Sequence, residues 1–172
     1  MRHPVTAGTV GAGQPSSTST STSTSTSAAR VAWTVAILKR GVSTSAPLPL
    51  RAAALAGIVI GAATVAASAI IHLHLWLQGY KHIHTIGPLF LAQAIGGIAL
   101  AIVMVLYRRL VTVIAGAGYM ASTVIGLLIS ATVGIFGFKD GLTVPWATSS
   151  LVIELIGFVV LAAAAALIIA RR

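Results

Sequence analysis

Four uninterrupted apolar runs, each about as long as a lipid bilayer is thick, constrain this chain more than anything else in it. They occupy residues 52–77, 88–107, 110–138 and 146–170. A helix rises ~1.5 Å per residue, so about 20 apolar residues cross ~30 Å of hydrocarbon. Each run reaches that length. Water cannot hold such a chain as a coated globule. Only 8% of its residues are charged and 57% are hydrophobic, whereas a soluble domain carries about 25% charge. Segments alternating between apolar and polar residues, the mark of a transmembrane barrel, are absent. The expected fold is all-α: an antiparallel bundle of four transmembrane helices over residues 51–172, preceded by a disordered N-terminal tail over residues 1–50.

The runs are punctuated as helices should be. Arg51 precedes the first; Gly79 follows its end; Pro88 opens the second, matching the preference for Pro at helix starts and Gly just past helix ends. Arg108 and Arg109 join the second run to the third, "KDGLTVP" (139–145) separates the third from the fourth, and Arg171 and Arg172 close the chain. The net charge of +9 would suggest nucleic acid in a soluble protein. Here the basic residues flank apolar runs, so they report orientation instead. Arg2, Arg30, Lys39, Arg40, Arg51, Arg108, Arg109, Arg171 and Arg172 fall on one side, against Lys81 and Lys139 on the other. By the positive-inside rule both termini are cytoplasmic, in a cell membrane. Trp76, Tyr80, Phe136, Phe138 and Trp146 gather at the opposite interface, as an aromatic belt would. The expected partner is the lipid bilayer, with a membrane-protein partner or a second copy also open, and no nucleic acid.

The first fifty residues are a different material. "SSTSTSTSTSTS" (16–27) has nothing apolar to bury, so the reading is disorder, as a spacer or a phosphorylation target. "VAWTVAIL" (31–38) is too short to span and is followed by Lys39 and Arg40, which suits a segment lying on the membrane surface. "APLPLR" (46–51) reads as an extended linker. No secretory signal peptide is expected, because the apolar stretch is short, far from Met1, and followed rather than preceded by its basic residues.

Polar and small residues recur along the runs. Gly57, Gly61, Thr64, Ser68 and His72 form one stripe in the first; Gly118, Ser122, Gly126, Ser130 and Gly134 form another in the third. Gln93 and Gly97 in the second, and Ser150, Glu154 and Gly157 in the fourth, extend the pattern. Small residues at such spacing let helices approach closely in lipid. Glu154 is harder to assign to packing. A carboxylate at mid-bilayer costs ~2.5 kcal/mol or more and is a functional candidate by default. The expected intramembrane polar cluster is His72, Gln93, Ser130 and Glu154, with His72 paired to Glu154 and the other two as hydrogen-bond partners.

Four of the five histidines lie in "HLHLWLQGYKHIH" (72–84), as two His-x-His pairs. On a helix a spacing of two is ~200° of rotation, so His74 points away from His72. His82 and His84 lie between Gly79 and Pro88, where extended backbone would let them share a ligand. A set of His72, His82 and His84, with Glu154 as a fourth group, suits zinc or copper(II). Haem is a further alternative, although axial histidines deep in facing helices would suit it better. With no cysteine in the chain, thiolate metal sites and disulfides are excluded. The leading expectation is no cofactor.

The run "HLHLWLQGYKHIHTIGPLFLAQ" (72–93), with "GIFGFKDGL" (134–142) before the last apolar run, resembles a pattern in small multi-pass membrane proteins of high-GC actinobacteria, a family without assigned function. The resemblance spans roughly residues 51–170. It implies a four-helix integral membrane protein and carries over no catalytic residue.

Enzymatic activity is not expected, for there is no nucleophile with base and orienting group, no phosphate loop, and only two acidic residues. Three functions stay open. The leading one is a small accessory or structural membrane subunit packing through its glycine stripes. The others are an extracytoplasmic metal- or haem-binding protein, and a proton-coupled carrier or channel working as an oligomer on Glu154.

Overall fold

The structure, a computed structural model, describes residues 21–139 and 146–170, with backbone alone for residues 21–26. Five helices and no strand occur among the described residues: α1 (Ser21–Leu38), α2 (Leu48–Leu77), α3 (Ile86–Tyr107), α4 (Leu110–Thr132) and α5 (Ala147–Ile169). The last four are each long and apolar enough to cross a membrane. The chain divides into two units, residues 1–33 and 34–172. In the first, the described part of α1 leaves Val31 and Trp33 exposed. Residues 21–27 of the Ser/Thr run are helical; residues 1–20 lie outside the described residues. Serine and threonine cost only about 0.5 kcal/mol each in a helix relative to alanine, so an apolar stretch can carry its helix back into them.

Other boundaries also differ from the sequence reading. Helix α2 begins inside the supposed linker, with Pro47 as its N-cap and Pro49 in its first turn. Proline lacks an N–H where the first turn needs none, so Leu-Pro-Leu starts a helix as readily as it extends a chain. Helix α3 begins at Ile86, two residues before Pro88, for the same reason. Helix α4 ends at Thr132 instead of running to residue 138. There Gly134, at φ +87, turns its N–H back to the Ile129 carbonyl. Ile135 and Phe138 then exchange backbone hydrogen bonds across Phe136 (φ +51) and Gly137 (φ +79). Two consecutive positive φ values make this a type I′ turn, built here from apolar residues.

Helix α2 packs against both α3 and α5, and α4 packs against α5; α3 and α4 touch each other only slightly. The α2–α5 seam is close because its residues are small. A Cβ at Gly57 would meet Ala164, one at Gly61 would meet Leu161, and one at Gly157 would meet Thr64. Ser68 faces Glu154 further along the same seam. The α2 stripe therefore lies on one face, as its spacing predicts. The α4 stripe does not. Gly118 has open space around its Cβ position and Ser122 is exposed. The buried positions of α4 are Leu110, Thr112, Val113, Gly116, Met120, Thr123 and Ser130, of which Ser130 alone belongs to the stripe. A strict step of four advances 400°, or 40° beyond a full turn, so twelve residues carry the stripe ~120° around the helix.

At one end, Arg108 and Arg109 alone connect α3 to α4, with Arg108 in the left-handed region at φ +44. The backbone of Arg40 and Gly41 docks there: the Leu110 N–H donates to the Arg40 carbonyl at 2.8 Å, and Gly41 pairs with Arg109. The apolar core lies toward this end. It comprises Ile58, Ala62 and Val65 of α2, Ala101 and Met104 of α3, Leu110, Val113 and Met120 of α4, and Leu161, Ala164 and Ile168 of α5. At the other end a single 3-10 turn, Tyr80–His82, folds back over the start of α3, where only Gly87 leaves room for the Lys81 backbone. Tyr80 meets Phe138 edge-on at 5.7 Å and His74 meets Trp146 at 5.4 Å. All five residues assigned to the aromatic belt thus lie in the turns and helix ends at this end, Trp76 with its ring centroid 5.9 Å from the Lys81 ammonium.

Candidate functional site

Between the apolar core and the aromatic end the helices enclose a cavity of about 160 Å³. Its walls come from α3 (Phe90, Gln93) and α4 (Thr123, Leu127, Ser130), which touch each other only slightly, and from α2 (His72) and α5 (Ser150, Glu154). Tyr80 and Phe138 from the turns complete it. Helices α3 and α4 are joined by only two residues at the core end, and both line the cavity toward the other end.

All four residues of the expected polar cluster line it: His72, Gln93, Ser130 and Glu154. The bonding is not the one expected. Among the described residues no ion pair joins His72 to Glu154. Glu154 is 1% exposed, and its Oε1 accepts two hydrogen bonds, from Ser68 Oγ at 2.8 Å and from Ser150 Oγ at 2.7 Å. Ser150 reaches it because residues i and i+4 share a helix face. Ser68 reaches it because the small residues of the seam bring α2 against α5. Hydrogen bonds to a carboxylate are worth about 1.5–3 kcal/mol each, and two of them offset part of the cost of burying it. Its Oε2 has no hydrogen-bond partner among the described residues.

His72 turns to its own helix. Its Nδ1 lies 2.8 Å from the Ser68 carbonyl oxygen. A carbonyl only accepts, so Nδ1 carries the proton and donates. The ring tilts against Phe90, with centroids 5.2 Å apart. Ser68 therefore serves two neighbours, its hydroxyl holding Glu154 and its carbonyl holding His72. Gln93 contributes its backbone: its carbonyl accepts from the Tyr119 hydroxyl at 3.1 Å, and that hydroxyl also lies beside Ser68. Tyr119 fits there because Gly97 of α3 leaves its space open. Ser68, Ser150 and Tyr119 were not among the expected site residues. The spacing of Ser150 from Glu154 was the readable signal for one of them; nothing in the sequence marks Tyr119.

The three histidines of the expected metal set are not gathered. His72 is buried in the cavity wall, whereas His82 and His84 are exposed. His82 ends the 3-10 turn rather than an extended pair, and His84 Nδ1 lies 3.2 Å from the Thr85 hydroxyl. Among the described residues no three His, Cys, Asp or Glu side chains group as metal ligands. His74 does not line the cavity and packs on Trp146.

The site thus holds one buried carboxylate with one oxygen fixed by two serines and the other without a hydrogen-bond partner among the described residues, inside walls that are mainly apolar and aromatic. Such a group can take a proton or a cation. No protein-family model, no curated protein and no solved structure matches the chain.

Proposed function

We propose that this chain is a multi-pass integral protein of the cell membrane, whose bundle binds a cationic solute or a proton on Glu154, as a proton-coupled carrier working as an oligomer would. The observation that carries this reading is a carboxylate 1% exposed in a cavity wall, whose Oε2 has no hydrogen-bond partner among the described residues. An intramembrane carboxylate is costly and a functional candidate by default. The bundle is read as antiparallel because contacts along the seam run 57 to 164, 61 to 161, 64 to 157 and 68 to 154. The membrane reading rests on apolar faces such as those of Ile60, Ile95, Leu106 and Val159, all at least half exposed, which lipid would cover. Cytoplasmic termini follow from the excess of basic residues, Arg51, Arg108 and Arg109 among them, at one end of the spans.

Proteoliposomes carrying a pH-sensitive dye test the proposal. An imposed potential should drive faster proton uptake with the wild-type chain than with Glu154→Gln, and equal rates would overturn it. A second reading, the accessory membrane subunit, draws on Gly96 and Gly118, whose Cβ positions meet nothing within 4 Å. Small residues on an outer helix face allow another helix to approach. A stable partner co-purified with the wild type and lost with Gly96→Leu would favour it.

A further inference from the structure

We propose that the cavity is a binding site for a small organic ammonium ion, a single amine on an apolar body about the size of a benzene ring. This rests on the reading of Glu154 as a cation site and names what fills it. Three observations converge. First, the cavity wall carries two acceptors with spare capacity, beside the Gln93 side-chain amide, which can both donate and accept. Glu154 Oε2 has no hydrogen-bond partner among the described residues. With Nδ1 committed to the Ser68 carbonyl, a neutral His72 ring offers an acceptor at Nε2, also without a partner among the described residues. An ammonium group has donors for both and supplies the counter-charge that a buried carboxylate requires. No lysine or arginine is among the described residues that line the cavity.

Second, the walls suit the rest of such an ion. The rings of His72, Phe90, Tyr80 and Phe138 form an unbroken series from the cavity wall to the turns. Successive centroids are 5.2, 4.8 and 5.7 Å apart, and all four residues line the cavity. Aromatic faces attract ammonium ions within about 6 Å and accept apolar bodies equally well. Third, the size matches. A volume of about 160 Å³ is close to the ~150 Å³ apolar cavity that accommodates benzene. An inorganic divalent ion would want six or more oxygen ligands. Here the Ser68 and Ser150 hydroxyls already donate to Oε1 and that of Thr123 donates to the Met120 carbonyl.

Calorimetric titration of the full chain in lipid nanodiscs, with empty nanodiscs as the blank, tests this with 2-phenylethylammonium chloride, its neutral analogue 2-phenylethanol, and sodium chloride. The amine should bind at least tenfold more tightly than the alcohol. Glu154→Gln, which keeps an acceptor for both serines, should weaken amine binding at least tenfold. Leu127→Trp, which fills the cavity and leaves the carboxylate in place, should abolish it. Equal affinity for amine and alcohol would overturn the proposal, as would unchanged binding by folded Glu154→Gln and Leu127→Trp. Sodium chloride that blocks the amine in a Glu154-dependent way at equal concentration would assign the site to an inorganic ion and overturn it too. If proton uptake depends on Glu154 while no amine binds, only the ammonium inference falls; if neither is seen, the cation-site reading falls with it.

Discussion

Replacement of Gly61 by alanine places a Cβ 2.6 Å from Leu161 Cγ, where ordinary contact begins at 3.4 Å. The branch point of Leu161 must therefore retreat by at least 0.8 Å, the difference between those distances. It has little room to do so. Leu161 is fully buried. Either its side chain takes another rotamer or α5 moves away from α2, and overpacking of this kind costs about 1–3 kcal/mol. Alanine also favours the helix over glycine by about 1 kcal/mol. The net loss for Gly61→Ala is then about 0–2 kcal/mol, a poor test by itself. Gly118→Ala supplies the reference, because its Cβ meets nothing within 4 Å and only the helix gain remains. Subtracting one variant from the other cancels that gain and leaves about 1–3 kcal/mol of steric cost. The assay is unfolding in mixed micelles titrated with dodecyl sulfate and followed by circular dichroism. A difference below about 0.5 kcal/mol would refute the close seam. The cycle with Leu161→Ala adds an internal check: that truncation should cost less by about 0.5–3 kcal/mol in the Gly61→Ala background than in the wild type.

Ser68→Ala removes a donor from a buried carboxylate and should cost about 1.5–3 kcal/mol in the same assay. Ser122→Ala, whose exposed hydroxyl bonds only to its own helix at Tyr119, should cost less than about 0.5 kcal/mol; equal losses would argue against the Glu154 network. In the turn after α4, Gly137→Ala at φ +79 should destabilise and Phe136→Gly at φ +51 should stabilise, each by about 1 kcal/mol; thermal unfolding shifts of the same sign would contradict the type I′ geometry. Lys81→Cys should react with a membrane-impermeant maleimide in intact cells, and Arg108→Cys only after lysis. The reverse pattern would invert the proposed orientation.

The apolar runs were legible because spanning length is a property of the chain taken one residue after another. Their ends were less so. The turn at Ile135–Phe138 is made of the same apolar residue types as the helix before it, so α4 read as continuing to residue 138. Pro47 and Pro49 carry no mark that separates a linker from a helix start. Glu154 stood out, since a carboxylate inside an apolar run is visible without knowing its neighbours. Its partners did depend on them. Which face of α2 meets α5, and in what register, follows from the fit of Gly57, Gly61 and Gly157 against Ala164, Leu161 and Thr64, and no single run contains that fit. The His72–Glu154 pair was the natural guess from opposite charge; two serines, and a carbonyl one turn back along α2, took up one oxygen of Glu154 and one ring nitrogen of His72 instead.

Along all four long helices the cavity and the apolar core divide by residue number. On α2 the core holds Ile58 to Val65 and the cavity takes His72; on α5 the core holds Leu161 to Ile168 and the cavity takes Ser150 and Glu154. The core is thus a stopper beneath the carboxylate. Met104 and Met120, both fully buried, sit in it on α3 and α4. Under the proposed carrier reading, a solute held at Glu154 would have to displace this apolar layer to pass to the basic end. Methionine adapts its shape at little cost, so these two side chains are where such a layer would give way first.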